Sequence, residues 1–483
     1  MNTRLVIRLQ GSILLIEAAA MLPSLLVALI YGDGDAMAFV QTIALILLIA
    51  LPMHFLARPN ERNLRAREGF VAVALAWVLL SVFGALPFLF GGLFTRFEDA
   101  LFETVSGLTT TGATVLTVFD GAPRGLMFWR SFTHWIGGMG VLVLTLALLP
   151  QMTGRSSHLA RAESPGPSFS KVLPKMGDSA KILYIIYGAL TLLQFVLLML
   201  VSGMSAYDAA IHAMSTAGTG GFNNYSNSVA AFDSVSADVI ITIFMVVFGI
   251  NFALYYRLLI GDVKGFFKSE ELHWYIGIVA VSMISISLII LPQYGNFFTA
   301  LRYGSFQVSS IISTTGFMTA DFDLWPNAAK MILLLLMFIG SCAGSTAGGM
   351  KVARIALMTK NVKREISRTF QPRKVQVVRF EGKGVEENML AQIAVFMVAY
   401  ITLVLIGAFA VSLEGKYDMI SNITASLTCV SNVGPGLGML GPTQNFAGYG
   451  PFAKYVLSLL MLCGRLELFP ILVLFHPGVW RKG

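Results

Sequence analysis

Four short strings in this 483-residue chain share one pattern of small and hydroxyl-bearing residues. They are TTTGAT at 109–114, GTGGFN at 218–223, STTGFM at 313–318 and SNVGPG at 431–436. Aligned on one glycine each, they place Gly112, Gly221, Gly316 and Gly434 at equivalent positions, with spacings of 109, 95 and 118. Two positions earlier stand Thr110, Thr219, Thr314 and Asn432, and six earlier stand Ser106, Ser215, Ser310 and Thr428. The chemistry this suits is coordination of a bare cation. Glycine opens backbone conformations closed to other residues, so carbonyls can turn toward a common axis. A ring of carbonyls can replace the hydration shell of a monovalent ion. The candidate contacts are Thr110, Thr111 and Gly112 in the first string and Thr219, Gly220 and Gly221 in the second, where Gly220 competes with Gly221 for the key place. In the third they are Thr314, Thr315 and Gly316, and in the fourth Asn432, Val433 and Gly434. No carboxylate sits at these glycines. Mg²⁺ dehydrates reluctantly and Ca²⁺ sites usually use carboxylates, so the strings favour a monovalent ion. One such cluster reads as a turn or a close helix contact. Four aligned clusters do not.

Other chemistries lack their residues. An intramembrane enzyme needs a nucleophile with its base, paired membrane aspartates or an HExxH helix, and none occurs. The spacing from Gly344 to Gly349 resembles a nucleotide P-loop, but the Lys-Ser/Thr that must follow is missing. Cys342, Cys429 and Cys463 lie in apolar or Gly-rich stretches with neither disulfide nor metal spacing. The sequons at Asn224 and Asn422 fall inside candidate pore segments and read as accidental.

Composition says what must position the strings. Apolar residues make up 56% of the chain and charged ones 12%, about half the usual charged share. Apolar runs near 20 residues recur throughout, the length of a bilayer-spanning helix. Spans are expected at roughly 9–30, 37–57, 69–93, 124–149, 180–203, 236–260, 273–293, 326–357, 389–412 and 451–475. The first is too long for a signal-peptide core and reads as retained. Of 34 Lys and Arg residues, 26 fall on the side of the termini. Arg96, Arg124, Arg302, Lys330, Lys416 and Lys454 fall on the other, with Arg130 and Arg465 inside helices. By the positive-inside rule both termini are cytoplasmic, and the net charge of +8 is no nucleic-acid signal. On the opposite side, apolar stretches of about 12 residues end in each glycine string, too short to span and suited to re-entrant elements. Irregular backbone at that depth must line a water-filled path.

The expected fold is therefore an all-α polytopic membrane protein with four M1–pore helix–M2 repeats around a central pore, plus an extra N-terminal helix pair. The pair covers 1–68 and the repeats cover 69–178, 179–268, 269–387 and 388–483. Acidic residues on the outer approach, among them Asp99, Glu103, Asp238, Asp323 and Glu414, are expected to gather cations.

Two further features stand apart. GSCAGSTAGG at 340–349 interrupts the span 326–357 in one repeat only, with Lys351 directly after it. Gly340, Gly344, Ser345, Thr346, Gly348 and Gly349 would free carbonyls there, or form a close packing face. Arg465 lies mid-span, at a cost of about 2.5–3.5 kcal/mol on insertion scales. It faces a pathway or a partner, and Glu467, two residues on, is on the wrong face. Arg130 reads as a snorkelling anchor, His134 and His212 as packing residues, and Glu17 carries no role.

These strings, with WRSFTHWIGGMG at 129–140, CAGSTAGGMK at 342–351 and GRLELFPILVLF at 464–475, resemble the membrane subunit of the Trk/Ktr/HKT potassium transporter superfamily, most nearly the Trk-type uptake proteins. The resemblance covers essentially the whole chain. It implies no enzymatic activity and a selectivity filter of one glycine per repeat. Potassium, as transported ion rather than cofactor, would be held at Thr111, Gly112, Gly220, Gly221, Thr315, Gly316, Val433 and Gly434. Plant relatives with serine in the first filter favour sodium, so Gly112 implies potassium. The alternative is a sodium or sodium-coupled carrier. The fourth filter, with Val433 and Pro435, departs most. The resemblance also implies that 340–349 and Lys351 gate conduction, and that Arg465 is an electrostatic barrier below the filter. It implies a bacterial inner-membrane homodimer with a cytoplasmic nucleotide-binding regulatory subunit. The basic segment 351–388 otherwise reads as a solvated face.

Overall fold

Long apolar runs shape the periphery. The computed structural model describes residues 3–57, 66–140, 176–374 and 376–474, and among them six helices are long and apolar enough to cross a bilayer. They are Thr3–Tyr31, Ala36–Leu56, Glu68–Phe90, Ala180–Leu200, Glu270–Tyr294 and Glu387–Ser412. Ala180–Leu200 shows why these need lipid. It buries Ile186, Tyr187, Gln194 and Leu198 against its neighbours but exposes Ile185, Leu192 and Leu200. An outward apolar face of this kind is stable only in hydrocarbon. The predominantly helical, multi-pass class expected from composition is thus the one observed.

Inside this periphery lie four half-helices, Phe97–Leu108, Ala206–Gly218, Phe297–Ile312 and Met419–Ser431. The longest has 16 residues, about 24 Å of helix, short of a ~30 Å hydrocarbon core. Three begin on a side-chain cap: Ser205 accepts from the Asp208 N–H, Asn296 from Phe298 and Asp418 from Ser421. These caps satisfy N–H groups that an apolar setting would otherwise strand.

The helices after the first, second and fourth glycine strings differ from expectation, while the run 326–357 breaks where expected. The runs 124–149, 236–260, 326–357 and 451–475 are not continuous spans. Helix stops at Gly138 in the first, and residues 141–149 lie outside the described set. Val235–Phe248 and Phe252–Leu259 meet at 92°, with Asn251 capping the second piece. Asn327–Ile339 ends at Gly340, and helix resumes only at Val352–Phe370. Pro451–Arg465 ends before Phe469–Leu474. The break expected in one repeat alone is therefore matched by an ending or bend in all four. Apolar composition hides this, because hydropathy registers length of apolar run and not whether the carbonyls are paired.

Two smaller corrections concern 351–388. It opens as a 19-residue helix rather than a loop. It then forms an antiparallel hairpin pairing Arg379–Phe380 with Lys383–Gly384, a small departure from an all-α chain.

Helices approach closely where side chains are absent. A Cβ on Gly137 would lie 1.9 Å from the Leu108 carbonyl oxygen, whereas one on Gly277 meets nothing within 4 Å. Gly137→Ala should lower the thermal unfolding midpoint in detergent by the equivalent of about 1–3 kcal/mol. Gly277→Ala should leave it unchanged or raise it, since helix interiors disfavour glycine.

Candidate ion pathway

The half-helices deliver the glycine strings to one place. Each string leaves its helix through the same backbone bond, from the residue before the aligned glycine to the carbonyl five residues back. The pairs are Thr111 to Ser106 (2.9 Å), Gly220 to Ser215 (2.9 Å), Thr315 to Ser310 (2.8 Å) and Val433 to Thr428 (3.0 Å). Thr110, Thr219, Thr314 and Asn432 are left-handed, with φ of 57°, 56°, 57° and 55°. Left-handed non-glycine residues are uncommon, and asparagine is among the few that tolerate the region. Finding four at equivalent positions marks one imposed backbone path. The glycines follow at φ of 80°, 80°, 77° and 106°, so Gly434 departs most. Between two left-handed positions the chain leaves strand alternation, and neighbouring carbonyls are freed to face one side.

The four strings form a closed cycle. A Cβ on Gly112 would lie 1.9 Å from the Gly220 oxygen, and one on Gly221 2.0 Å from that of Thr315. One on Gly316 would lie 2.3 Å from Val433, and one on Gly434 2.8 Å from Thr111, which returns to the first string. In each case the carbonyl belongs to the residue just before the next string's aligned glycine. Gly221, not Gly220, thus occupies the ring position; a Cβ on Gly220 would instead strike the His134 ring at 2.4 Å. Thr110, Thr111, Thr219, Thr314, Thr315, Asn432 and Val433 are wholly buried. Their hydroxyls are partly engaged with one another, as in Thr109 to Thr111 (2.8 Å), Ser313 to Thr315 (2.7 Å) and Asn432 Nδ2 to Thr111 (3.0 Å). Four helix C-termini, each carrying partial negative charge, border the ring.

A cavity of about 170 Å³ touches Gly112, Gly221, Gly316 and Gly434 on the side away from the half-helices' C-terminal bonds. Its lining holds no carboxylate, and its one charged residue is Arg130. Several residues of the expected acidic approach are engaged elsewhere. Asp99 pairs with Lys454, Glu103 with Arg130 (2.5 Å), Asp238 with Arg302 (2.6 Å) and Asp323 with Lys330 (3.8 Å). Glu414 accepts the Gly450 and Ala453 N–H groups at 2.6 and 3.0 Å. Such carboxylates hold the fold and have little charge left for the mouth. Arg130 is likewise no snorkelling anchor but a buried ion-pair partner. No sequence signal links it to Glu103, 27 residues away.

On the other side of the ring the segment 340–351 folds back against the strings. Gly340 has φ 69° and ψ −157°, a conformation essentially restricted to glycine. Gly348 N–H donates to the Thr314 hydroxyl (2.8 Å), Gly349 N–H to Ser431 O (2.9 Å) and the Ser341 hydroxyl to Ile312 O (2.8 Å). Cys342 N–H donates to Gly249 O (3.1 Å) and Phe252 N–H to Gly344 O (3.0 Å). The Ser345 hydroxyl donates to Cys342 O (2.6 Å), and the Lys351 ammonium donates to Ala347 O. Arg465 donates to Thr346 O (2.8 Å), Gly138 O (2.7 Å) and Gly137 O. It therefore bridges the segment to the end of Arg124–Gly138. Glu467, in the turn between Pro451–Arg465 and Phe469–Leu474, instead pairs with Arg354 (2.5 Å). A gap of about 10 Å³ remains beside Gly348, Arg465 and Leu468, barely room for one water.

A sequence model of the TrkH family, described as a cation transport protein, matches residues 35–481. The chain belongs to the TrkH family. It is 38% identical to the Trk system potassium uptake protein TrkH of Salmonella typhimurium, over 100% of both chains. It is 31% identical to TrkG of Escherichia coli K12, again over 100% of both. The crystal structure of the potassium transporter TrkH from Vibrio parahaemolyticus is 34% identical and superposes with a TM-score of 0.90 over 100% of both chains. These relatives are named as transporters, not enzymes. If the ring of this TrkH-family chain holds a monovalent ion, Gly221→Ala should abolish the stabilisation that ion gives, because the methyl would stand 2.0 Å from the Thr315 oxygen. The check is the unfolding temperature against K⁺ and Rb⁺ concentration, which rises for a bound ion and should stay flat in the variant.

Proposed function

We propose that this chain is the membrane subunit of a potassium uptake system and that potassium crosses through the four-glycine ring. The closed cycle of glycine against carbonyl is the observation that carries the reading. In this reading the Thr111, Gly220, Thr315 and Val433 carbonyls meet a dehydrated ion, and Gly112, Gly221, Gly316 and Gly434 leave room for it. The names of the relatives supply the ion. The ring belongs to repeats 69–178, 179–268, 269–387 and 388–483, with 1–68 as an added helix pair.

The segment 340–351 is the gate of this pathway, and Arg465 is its latch and its electrostatic barrier. Hydrogen bonds from Gly348 to Thr314 and from Arg465 to Thr346 support this, since the first ties the segment to the third string and the second ties it to Arg465. The termini lie in the cytoplasm of a bacterial cell, on the strength of the Lys and Arg distribution. A homodimer and a nucleotide-binding cytoplasmic regulator rest on the family resemblance.

Two measurements test this. In liposomes holding the purified protein, ⁸⁶Rb⁺ uptake should be blocked by K⁺ but not by Na⁺, and Gly316→Ser should loosen that preference. Equal competition by Na⁺ would replace the reading with a sodium carrier. Arg465→Gln should raise basal uptake by roughly tenfold, because charge-assisted bonds are worth ~1.5–3 kcal/mol each. An unchanged rate would remove Arg465 from the gate.

A further inference from the structure

Glu103 and Arg130 form the most deeply buried ion pair among the described residues, with side chains 0% and 2% exposed. Both carboxylate oxygens of Glu103 are used. Oε1 accepts from Arg130 Nε (2.5 Å) and from the Thr114 hydroxyl (2.8 Å), and Oε2 accepts the Val115 N–H (2.9 Å). Thr114 and Val115 follow Gly112 by two and three residues. Arg130 reaches the other way. Its Nη1 donates to Asn223 O (2.7 Å), and its guanidinium carbon lies 3.6 Å from the centre of the Phe222 ring. Phe222 and Asn223 follow Gly221 directly. The pair thus grips the outer limbs of two neighbouring strings at the seam between the first and second repeats. Thr114 also receives the Phe446 N–H on its carbonyl (2.8 Å), so the fourth repeat is joined to the same point.

The other junctions carry ion pairs that are less buried, Asp238 with Arg302 between the second and third repeats (4% and 21% exposed) and Asp99 with Lys454 between the first and fourth (20% and 7%). Between the second and third, Ala230 N–H meets Met318 O (3.1 Å) and Met318 N–H meets the Ser228 hydroxyl (3.2 Å). A buried ion pair adds little net stability over apolar residues of similar volume. What a fully satisfied polar network adds is a single geometry. Whether selectivity comes from cavity size or from carbonyl number and field, it depends on where the carbonyls are held.

We propose that Glu103 and Arg130 are positioning residues for ion selectivity: they brace the first and second strings so that the ring cannot contract around an ion smaller than potassium. This rests on the four-glycine reading above and adds to it a pair outside the ring. Neither residue touches the ion.

The test uses full-length protein in liposomes and reads the ratio of Na⁺ to K⁺ concentrations that halve ⁸⁶Rb⁺ uptake. Arg130→Lys keeps the charge but cannot reach both Glu103 and Asn223 with one planar group. The double variant Glu103→Gln/Arg130→Met removes both charges at once, which avoids leaving one buried charge unpaired. Each should lower the ratio on the order of tenfold, and Thr114→Val, which removes one donor to Glu103, by about threefold. Loss of both charge variants to misfolding would leave Thr114→Val to decide. A purely structural pair would reduce folded protein while leaving the ratio in what remains unchanged. Folded variants that all keep the wild-type ratio overturn the brace and spare the filter reading. A wild type that does not discriminate overturns both.

Discussion

In the proposed pathway four backbone segments must approach one another to within the reach of a single ion, with no side chain between them. Everything else in the structure serves that constraint. At four equivalent places a methyl group would lie 1.9 to 2.8 Å from a neighbouring carbonyl. Glycine there is a steric requirement on the ring as a whole. The threonines and the asparagine two residues earlier absorb the complementary demand, a left-handed turn that makes the glycine's own conformation reachable. Asn432 fits because asparagine tolerates that region better than most residues.

Such a ring is expensive to hold. In the proposed reading its carbonyls are kept for the ion, so the surrounding backbone must be anchored by other means. The half-helices provide this through one repeated bond, from the residue before each glycine to the carbonyl five residues back. Side chains provide the rest on the outer side, where Glu103 gathers a hydroxyl, a backbone N–H and Arg130. Beneath the ring the helices stop or bend, because an uninterrupted helix would keep its carbonyls to itself and bring no backbone to the centre. The segment 340–351 fills the space so created, and donors from Gly348, Gly349, Ser341 and Arg465 consume carbonyls and hydroxyls on three sides.

Charge is used sparingly and mostly in pairs. Asp99, Glu103, Asp238, Asp323 and Glu414 are spent on lysines, arginines and backbone N–H groups. In the proposed reading, attraction for cations at the ring comes from oriented carbonyls and four helix C-termini rather than from free carboxylates. That arrangement suits a path in which an ion must enter and also leave, since a carboxylate would hold it too firmly. Glu17 stands outside the scheme. It is buried against Gly84 with neither oxygen hydrogen-bonded, and nothing in its surroundings explains it.

Much of this was legible from residues alone. The multi-pass helical class follows from apolar runs of bilayer length. The four strings could be aligned because the ring imposes the same small residues at the same offsets in each. Gly112 and Gly316 stand alone in their strings, and the alignment on Gly221 over Gly220 followed from offset, although its reason is a contact with Thr315 from another repeat. Local signals ended where the fold brings distant segments together. Arg130 and Glu103 are 27 residues apart, and Arg465 meets carbonyls more than 300 residues away at Gly137 and Gly138. Hydropathy could not show that all four following helices stop or bend, since a broken apolar segment counts the same as an intact one. Nor could it show that Asp99, Glu103, Asp238 and Asp323 are paired with cations, because charge pairing is a property of distance. The sequence by itself determined the solvent, the helical elements and the four backbone positions where no side chain fits. Tertiary structure decided which charges meet and what closes the path below the ring, because those contacts join residues that no local pattern relates.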